Sequence, residues 1–399
     1  MPSESQIPIA SSIPARRFAI RLALFYGSVF TLIGCHMPFF PVWLRAVGID
    51  AAWIGVISAV SAVTRFTVLP IVTGFAERHA AVRGTMIATA FVTALGFAVV
   101  GTQHLPLAVF LTYAVTAASW TPTVPLTDAY ALRGVARYGL NYGPLRLWGS
   151  AAFVAGALGC GFLADVIAPK HLIWIIVATG VLAALIGLGL QPLDSRTTRP
   201  PAVQGRTALL RDGGFLAIIA SSALIQASHS TYYVFGSITW QSAGLGGLTI
   251  AGLWTLGVIA EIVVFALSPR FTLQPSTLVI IGGLGAVSRW LITAQEPSVA
   301  VLAVIQLAHG LSFGLTQVGI MSLMVRHVPM SIITRAQGYL AACGGIIASS
   351  ATIVSGMIYA RYGQGAYYAM AVMAFSGATV MWFARRALDR HPHSAASGG

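Results

Sequence analysis

Acidic side chains are scarce in this chain. Ten Asp and Glu stand against 23 Lys and Arg in 399 residues, and the four types together make up only 8% of it. Hydrophobic residues contribute 57% and the mean hydropathy is +0.81. So little charge cannot cover so much apolar surface in water, which excludes a soluble globule. Cysteine is also rare. Cys35, Cys160 and Cys343 stand singly in apolar stretches; three cannot pair completely, so they read as small, buried, reduced residues without redox or metal chemistry. The sequence has no H-E-x-x-H and no P-loop, which argues against a metalloprotease or a nucleotide-driven pump. One catalytic pattern does occur, G-x-S-x-G over Gly310, Leu311, Ser312, Phe313 and Gly314. That elbow needs a strand-to-helix turn, and here it lies inside an apolar helical run, so we read it as coincidence.

What the chain has instead is a series of apolar runs of about 17 to 27 residues, the length that crosses a hydrocarbon core roughly 30 Å thick. Twelve spans are predicted, over 18–43, 52–75, 85–102, 105–126, 145–163, 172–190, 215–235, 248–267, 277–293, 298–324, 333–359 and 366–383. The first is too long for the apolar region of a secretory signal and lacks a small-residue cleavage site after it, so it is expected to remain as a helix. With both termini placed in the cytoplasm, only Arg45, Lys170 and Arg361 fall outside, while Arg65, Arg146 and Arg289 fall in spans. The remaining seventeen of the 23 Lys and Arg lie in or beside the tails and even-numbered loops, as the positive-inside rule requires. The net charge of +13 is thereby explained as topological anchoring, with no nucleic-acid partner.

Ionisable residues deep in the spans are the main pointer to function. Glu261 is the only Asp, Glu, Lys or Arg between Asp212 and Arg270. A lone carboxylate in hydrocarbon is costly and marks an ion or substrate pathway by default. Arg65, Arg289 and His309 lie at comparable depth in three other spans, and Asp128 and Arg146 flank a fourth and a fifth. The pattern predicts a polar cavity within a membrane protein. Burial alone disfavours the ionised form of Glu261, and a movable cation beside it makes a proton switch; the plainer alternative is a static ion pair locking spans eight and nine. His309 either titrates or bonds a neighbouring helix. Asp128 and Arg146 belong either to the cavity or to a structural pair at the cytoplasmic interface. Arg65 sits roughly 20 Å into its span, too deep to snorkel easily, and is expected to face the cavity.

The Pro-rich interval 191–214 divides the chain into bundles of six spans, 1–190 and 215–399, joined by a cytoplasmic linker and followed by a short basic tail. The halves echo each other: Trp43, Gly55 and Arg65 in the first resemble Trp240, Gly252 and Glu261 in the second. Duplicated halves around a central site are a transporter signature. Prolines 41, 70, 122 and 125 and glycines such as Gly156, Gly282 and Gly345 permit bends and close helix approach, without identifying a substrate.

Three segments carry a family resemblance: MPFFPVWL at 37–44, YGPLRLWGS at 142–150, and QASHSTYYVFGSITWQSAG through LWTLGVIAEIVVFALS over 226–268. On these the chain resembles the major facilitator superfamily, in its proton symporter branch, nearer to the phenylpropionate permease group than to lactose permease. The resemblance implies an all-α membrane protein of twelve transmembrane helices in two pseudo-symmetric six-helix bundles, with both termini cytoplasmic. The loop GFAERHAAVRG from Gly74 looks like a degraded form of the superfamily's loop motif, with Glu77, Arg78 and Arg83 in its acidic and basic places and the glycine after the acid missing. Asp128 and Arg146, eighteen residues apart, match the sugar permease's substrate-binding pair; Glu261, Arg289 and His309 match its proton-coupling set. Where that permease has a second proton-carrying glutamate, three residues after the histidine, this chain has Ser312.

Arg65, Arg146 and Arg289 outnumber Asp128 and Glu261 by one, which favours an anionic substrate, since guanidinium pairs bidentately with carboxylate. Tyr232 and Tyr233, with His229 and Trp254, are candidates to line a pocket for an aromatic ring; Trp240 reads as an interfacial belt residue. His36 and Gln226 read as interhelical hydrogen-bonders. The expectation is a proton-coupled symporter of a small organic anion such as an aromatic carboxylate, with the proton as coupling ion, no cofactor and no enzyme activity. It is expected to work as a monomer in the cell (inner) membrane. A symporter of a neutral sugar or nucleoside, or an exporter, is the alternative; the glycine-proline motif of drug antiporters is absent from span five. A non-transporting sensor or membrane enzyme is the remote one.

Overall fold

The computed structural model describes residues 13–193, 209–329 and 332–390, and among them every regular element is helical. Ten helical stretches there are long and apolar enough to cross a membrane. The expected twelve spans differ from these in two places. The stretch Arg335–Asp389 runs to 55 residues but holds two helices, α14 (Ile333–Tyr362) and α15 (Ala366–Arg390), separated at Gly363 with φ +54°. The expected seventh span is broken into α8 (Gly213–Ala227) and α9 (Ser230–Ser242), each shorter than one crossing. Residues 194–208 of the expected linker, with Arg196, Arg199 and Arg206, and the tail beyond Arg390 lie outside the described residues.

The chain divides into two compact units. One consists of Met1–Ile49, Thr67–Arg199 and Gly246–Ala251, the other of Asp50–Phe66, Pro200–Leu245 and Gly252–Gly399. In the first, α1 (Ile13–Ala46) packs against α6 (Tyr142–Val166) at backbone distance: a Cβ on Gly34 would overlap the Phe153 carbonyl, and one on Gly156 would lie 2.5 Å from the Thr31 carbonyl. Small residues of this kind let helices associate where no hydrophobic effect drives them together. Phe18, Leu22, Phe25 and Tyr26 of α1 form a core with Met86 of α3 (Val82–Gly101) and with Leu126 and Tyr130 of α5 (Thr123–Tyr138). As expected, His36 bonds across helices, its Nε2 lying 3.3 Å from the Tyr113 hydroxyl on α4 (Pro106–Trp120). Cys35 and Cys160 are buried, but Cys343 is only partly so, because its stretch of α14 is less enclosed than expected.

The loop after α2 (Ala51–Arg78) keeps a tight turn without the glycine of the family motif. Ala80 supplies the left-handed residue, at φ +51°. Arg83 then caps the end of α7 (Leu172–Leu188), its Nε donating to the Leu190 carbonyl at 2.6 Å and its Nη2 to that of Leu188 at 3.2 Å. A left-handed alanine is strained where glycine is not, so Ala80→Gly should stabilise the protein by about 0.5–1 kcal/mol. Its thermal unfolding midpoint in detergent should rise; a lower midpoint would show that the turn carries no strain.

In the second unit, α8 and α9 meet at a break whose freed carbonyls are taken by side chains. Ser228 Oγ donates to Ile225, Ser230 Oγ to Ala227, and His229 Nδ1 lies 3.2 Å from both the Ile225 and Gln226 carbonyls. Polar side chains that satisfy the backbone in this way are what allow a helix to break at membrane depth. α12 (Val299–Leu307) and α13 (Thr316–His327) are joined through a π-helical turn, Gly310–Leu315. The G-x-S-x-G pattern is therefore a widened helical turn with no strand before it, as its dismissal required. Asp212 caps α8 through the Phe215 N–H at 3.0 Å and meets His327 Nε2 at 3.1 Å. Burial pushes its carboxyl pKa up, but the Phe215 and Gly214 N–H groups and the His327 imidazole together hold it below the usual value.

Candidate functional site

The second unit assembles the expected intramembrane set around Arg289. This residue is in the last turns of α11 (Pro275–Thr293) and only 1% exposed. Its Nη1 lies 2.9 Å from His309 Nδ1 and donates to Ser312 Oγ at 3.3 Å, while its Nη2 donates to Gln306 Oε1 at 2.9 Å. The guanidinium carbon sits 4.5 Å from the centre of the Tyr232 ring, a cation–π distance. All these partners are neutral, so the buried charge is solvated by dipoles, and its Nε has no hydrogen-bond partner among the described residues.

His309 lies between Arg289 and Glu261. A guanidinium can only donate, so His309 Nδ1 must accept and the ring proton belongs on Nε2. That nitrogen is 3.8 Å from Glu261 Oε2 on α10 (Gly247–Leu267). The approach depends on Gly310: a Cβ there would stand 2.8 Å from the carbonyl of Ala260, the neighbour of Glu261. The direct Glu261–Arg289 lock considered from the sequence is thus replaced by a three-member chain through the imidazole. Protonating His309 on both nitrogens would turn an N–H toward Arg289, so it requires Arg289 to move.

Three residues take part in ways not expected from the sequence. Gln306 supplies an acceptor to Arg289. Ser312 receives from Arg289 and lies 3.1 Å from His229 Nε2. His229, fully buried, donates from Nδ1 to backbone carbonyls, so its Nε2 accepts the Ser312 hydroxyl proton. The signal available for Ser312 and Gln306 was their position one helical turn from His309, on its own helix.

Tyr232 is buried and already engaged, stacked on Trp254 at 4.8 Å and facing Arg289. Tyr233 is half-buried, beside Trp254 at 6.0 Å and His229 at 5.8 Å. Trp240 was expected in an interfacial belt, but it is 3% exposed and packs edge-on against Tyr232, on a helix whose residues are nearly all buried. Gln226 reaches Gln317 Oε1 at 3.4 Å, an interhelical bond as expected. Arg65, in the middle of α2, is exposed and makes no hydrogen bond or ion pair among the described residues.

The first unit holds Asp128 on α5 and Arg146 in the first turns of α6, with side chains 35% and 31% exposed. They are 3.9 Å apart, too far for a hydrogen bond. The Asp128 Oδ1 instead accepts from Tyr26 and Tyr142 hydroxyls at 2.6 and 2.9 Å. Arg146 lies over the Phe30 ring, its guanidinium carbon 4.1 Å from the centroid. Gly149 makes room for that pose, since a Cβ there would meet Arg146 Nη1 at 2.9 Å. Of the loop motif, Glu77 and Arg78 are exposed at the end of α2, and Arg83 is the α7 cap already described.

Comparison with known proteins places this geometry in context. The chain is 31% identical over 366 residues to a probable 3-phenylpropionic acid transporter of Escherichia coli (strain K12), covering 88% of this chain and 94% of that one. It is 27% identical over 354 residues to a maltose permease of Geobacillus stearothermophilus, covering 86% and 89%. In fold it superposes on the nucleoside transporter NupG with a TM-score of 0.77 at 16% identity, covering 92% of this chain and 99% of that one. A bacterial homolog of the human lysosomal transporter Spinster gives 0.77 at 13% identity, covering 97% and 100%. Residues 19–370 match the MFS_1 like family. The chain is therefore a multi-pass membrane transporter of the major facilitator type, not an enzyme, and it belongs to the MFS_1 like family.

Proposed function

We propose that this transporter carries a small aromatic carboxylate into the cell together with a proton, by alternating access. It acts as a monomer in the inner membrane, crossing it twelve times with both termini in the cytoplasm. The observation that carries this reading is the state of the buried cation: among the described residues Arg289 bonds neutral partners only, and its Nε is unpartnered. A second guanidinium, Arg146, makes no hydrogen bond among the described residues. Cations so placed suit a carboxylate far better than a neutral sugar or nucleoside. Similarity to a transporter of 3-phenylpropionic acid supports the same substrate class, and half-buried Tyr233 supplies an aromatic wall.

Energetics supports proton coupling. Bringing an anion in against 100 mV, inside negative, costs about 2.3 kcal/mol, and one accompanying proton cancels that cost. In our reading Glu261 takes the proton, with the His309 Nε2–H as its neighbour. In the second unit Arg65 and Arg289 attract the anion, and Tyr232 holds Arg289 from its ring face; in the first, Arg146, with Asp128 beside it, is a further guanidinium for a carboxylate. The test is uptake of labelled 3-phenylpropionate by proteoliposomes under an imposed inside-alkaline gradient. Accumulation that an uncoupler collapses, and that aromatic acids but not maltose or nucleosides compete away, is expected. Competition by a sugar or nucleoside alone would establish the alternative substrate class.

A further inference from the structure

The first unit contains a carboxylate and a guanidinium that form an ion pair at 3.9 Å with no hydrogen bond between them. In a membrane segment, oppositely charged groups this near normally do close, because little else is available to solvate them. Here the carboxylate has been satisfied from another direction. Two phenol donors converge on one oxygen: Tyr26 from α1 at 2.6 Å and Tyr142 from the start of α6 at 2.9 Å. Hydrogen bonds to an ionised acceptor are roughly twice as strong as neutral ones, so this pair competes effectively with the third donor. That donor, Arg146 Nε, remains 3.9 Å from the same oxygen. Its guanidinium rests on Phe30, with the Tyr26 ring 5.7 Å away, and Gly149 leaves space for it.

We propose that Tyr26 and Tyr142 determine specificity: their hydroxyls hold Asp128 off Arg146, so that the guanidinium stays open to the carboxylate of the substrate. Tyr26 is fully buried, so its hydroxyl is committed to this bond and unavailable to a ligand. Without the phenols, Asp128 Oδ1 would lose both donors, and among the described residues Arg146 is the charged donor left beside it. A closure of about 1 Å turns the loose pair into a hydrogen-bonded one. An incoming anion would then have to displace a resident carboxylate. The two tyrosines are positioning residues that act through Asp128, and this inference rests on the proposed function.

The test measures initial rates of 3-phenylpropionate uptake into proteoliposomes. Tyr26→Phe/Tyr142→Phe should raise KM roughly tenfold, the size of one charged hydrogen bond, with little change in kcat. Adding Asp128→Asn to that double variant removes the competitor and should bring KM back to within about threefold of the wild type. A merely structural role for the tyrosines would lower the folded yield or kcat and would not be rescued by Asn. If the double variant does not fold, either single variant should show a smaller rise in KM with the same rescue. An unchanged KM in the folded variants, or a raised KM that Asp128→Asn leaves raised, overturns the inference while the proposed function stands. Failure of the wild type to take up any carboxylate overturns both.

Discussion

Replacing Glu261 with Gln should abolish accumulation driven by a pH gradient while leaving exchange of labelled for unlabelled substrate intact. One proton moving down a gradient of one pH unit releases about 1.4 kcal/mol, enough for roughly tenfold accumulation, and the variant should fall to no accumulation at all. Glu261 is the only carboxylate in direct range of the Arg289 cluster among the described residues, through His309 Nε2 at 3.8 Å. Gln keeps the shape and can still accept from that N–H, but it can neither bind nor release a proton. Exchange needs only that the loaded site present itself alternately to either side, and Gln mimics the protonated state that loading requires. Accumulation at the wild-type level would remove Glu261 from its assigned role. Loss of exchange as well would mean that the residue holds the helices rather than the proton.

Replacing Arg289 with Lys should lower uptake by about a hundredfold or more. The guanidinium engages Gln306, His309 and Ser312 at once from two nitrogens. An ammonium is a point charge without the fork and cannot reach all three. Losing two hydrogen bonds to a charged group corresponds to roughly 3–6 kcal/mol. The effect should appear in kcat/KM for 3-phenylpropionate, with folded yield measured in parallel. The reason to expect function rather than stability to suffer first is that the charge itself is retained. Uptake within threefold of the wild type would show that the fork is dispensable, and with it the bidentate reading of the substrate.

The helical architecture was legible because an apolar run of membrane length has few other solutions, and the ionisable residues stood out against so uniform a background. The spacing between Arg289 and His309 carried over into a direct contact. What could not be read was how neutral residues complete the cluster. Gln306, Ser312 and His229 look like ordinary span residues, and their roles depend on a π-helical turn and a helix break with no strong local signature. Tyr26 was invisible for the same reason: one phenol on an apolar helix reads as core until its partner is seen. Nearness to a span end suggested the interface for Trp240, whereas α9 is enclosed along almost its whole length and Trp240 packs on Tyr232. Asp128 and Arg146 came out adjacent but not closed, a distinction of about 1 Å that residue spacing cannot carry.

The most direct measurement is proton movement during substrate entry. Proteoliposomes in lightly buffered medium receive a pulse of 3-phenylpropionate while external pH and labelled anion are followed together. Protein-free liposomes and the Glu261→Gln variant serve as controls for passive entry of the acid. Alkalinisation outside that tracks anion entry and exceeds both controls is the predicted result. Anion entry with no alkalinisation beyond the controls, or alkalinisation evoked instead by maltose or a nucleoside, would contradict it.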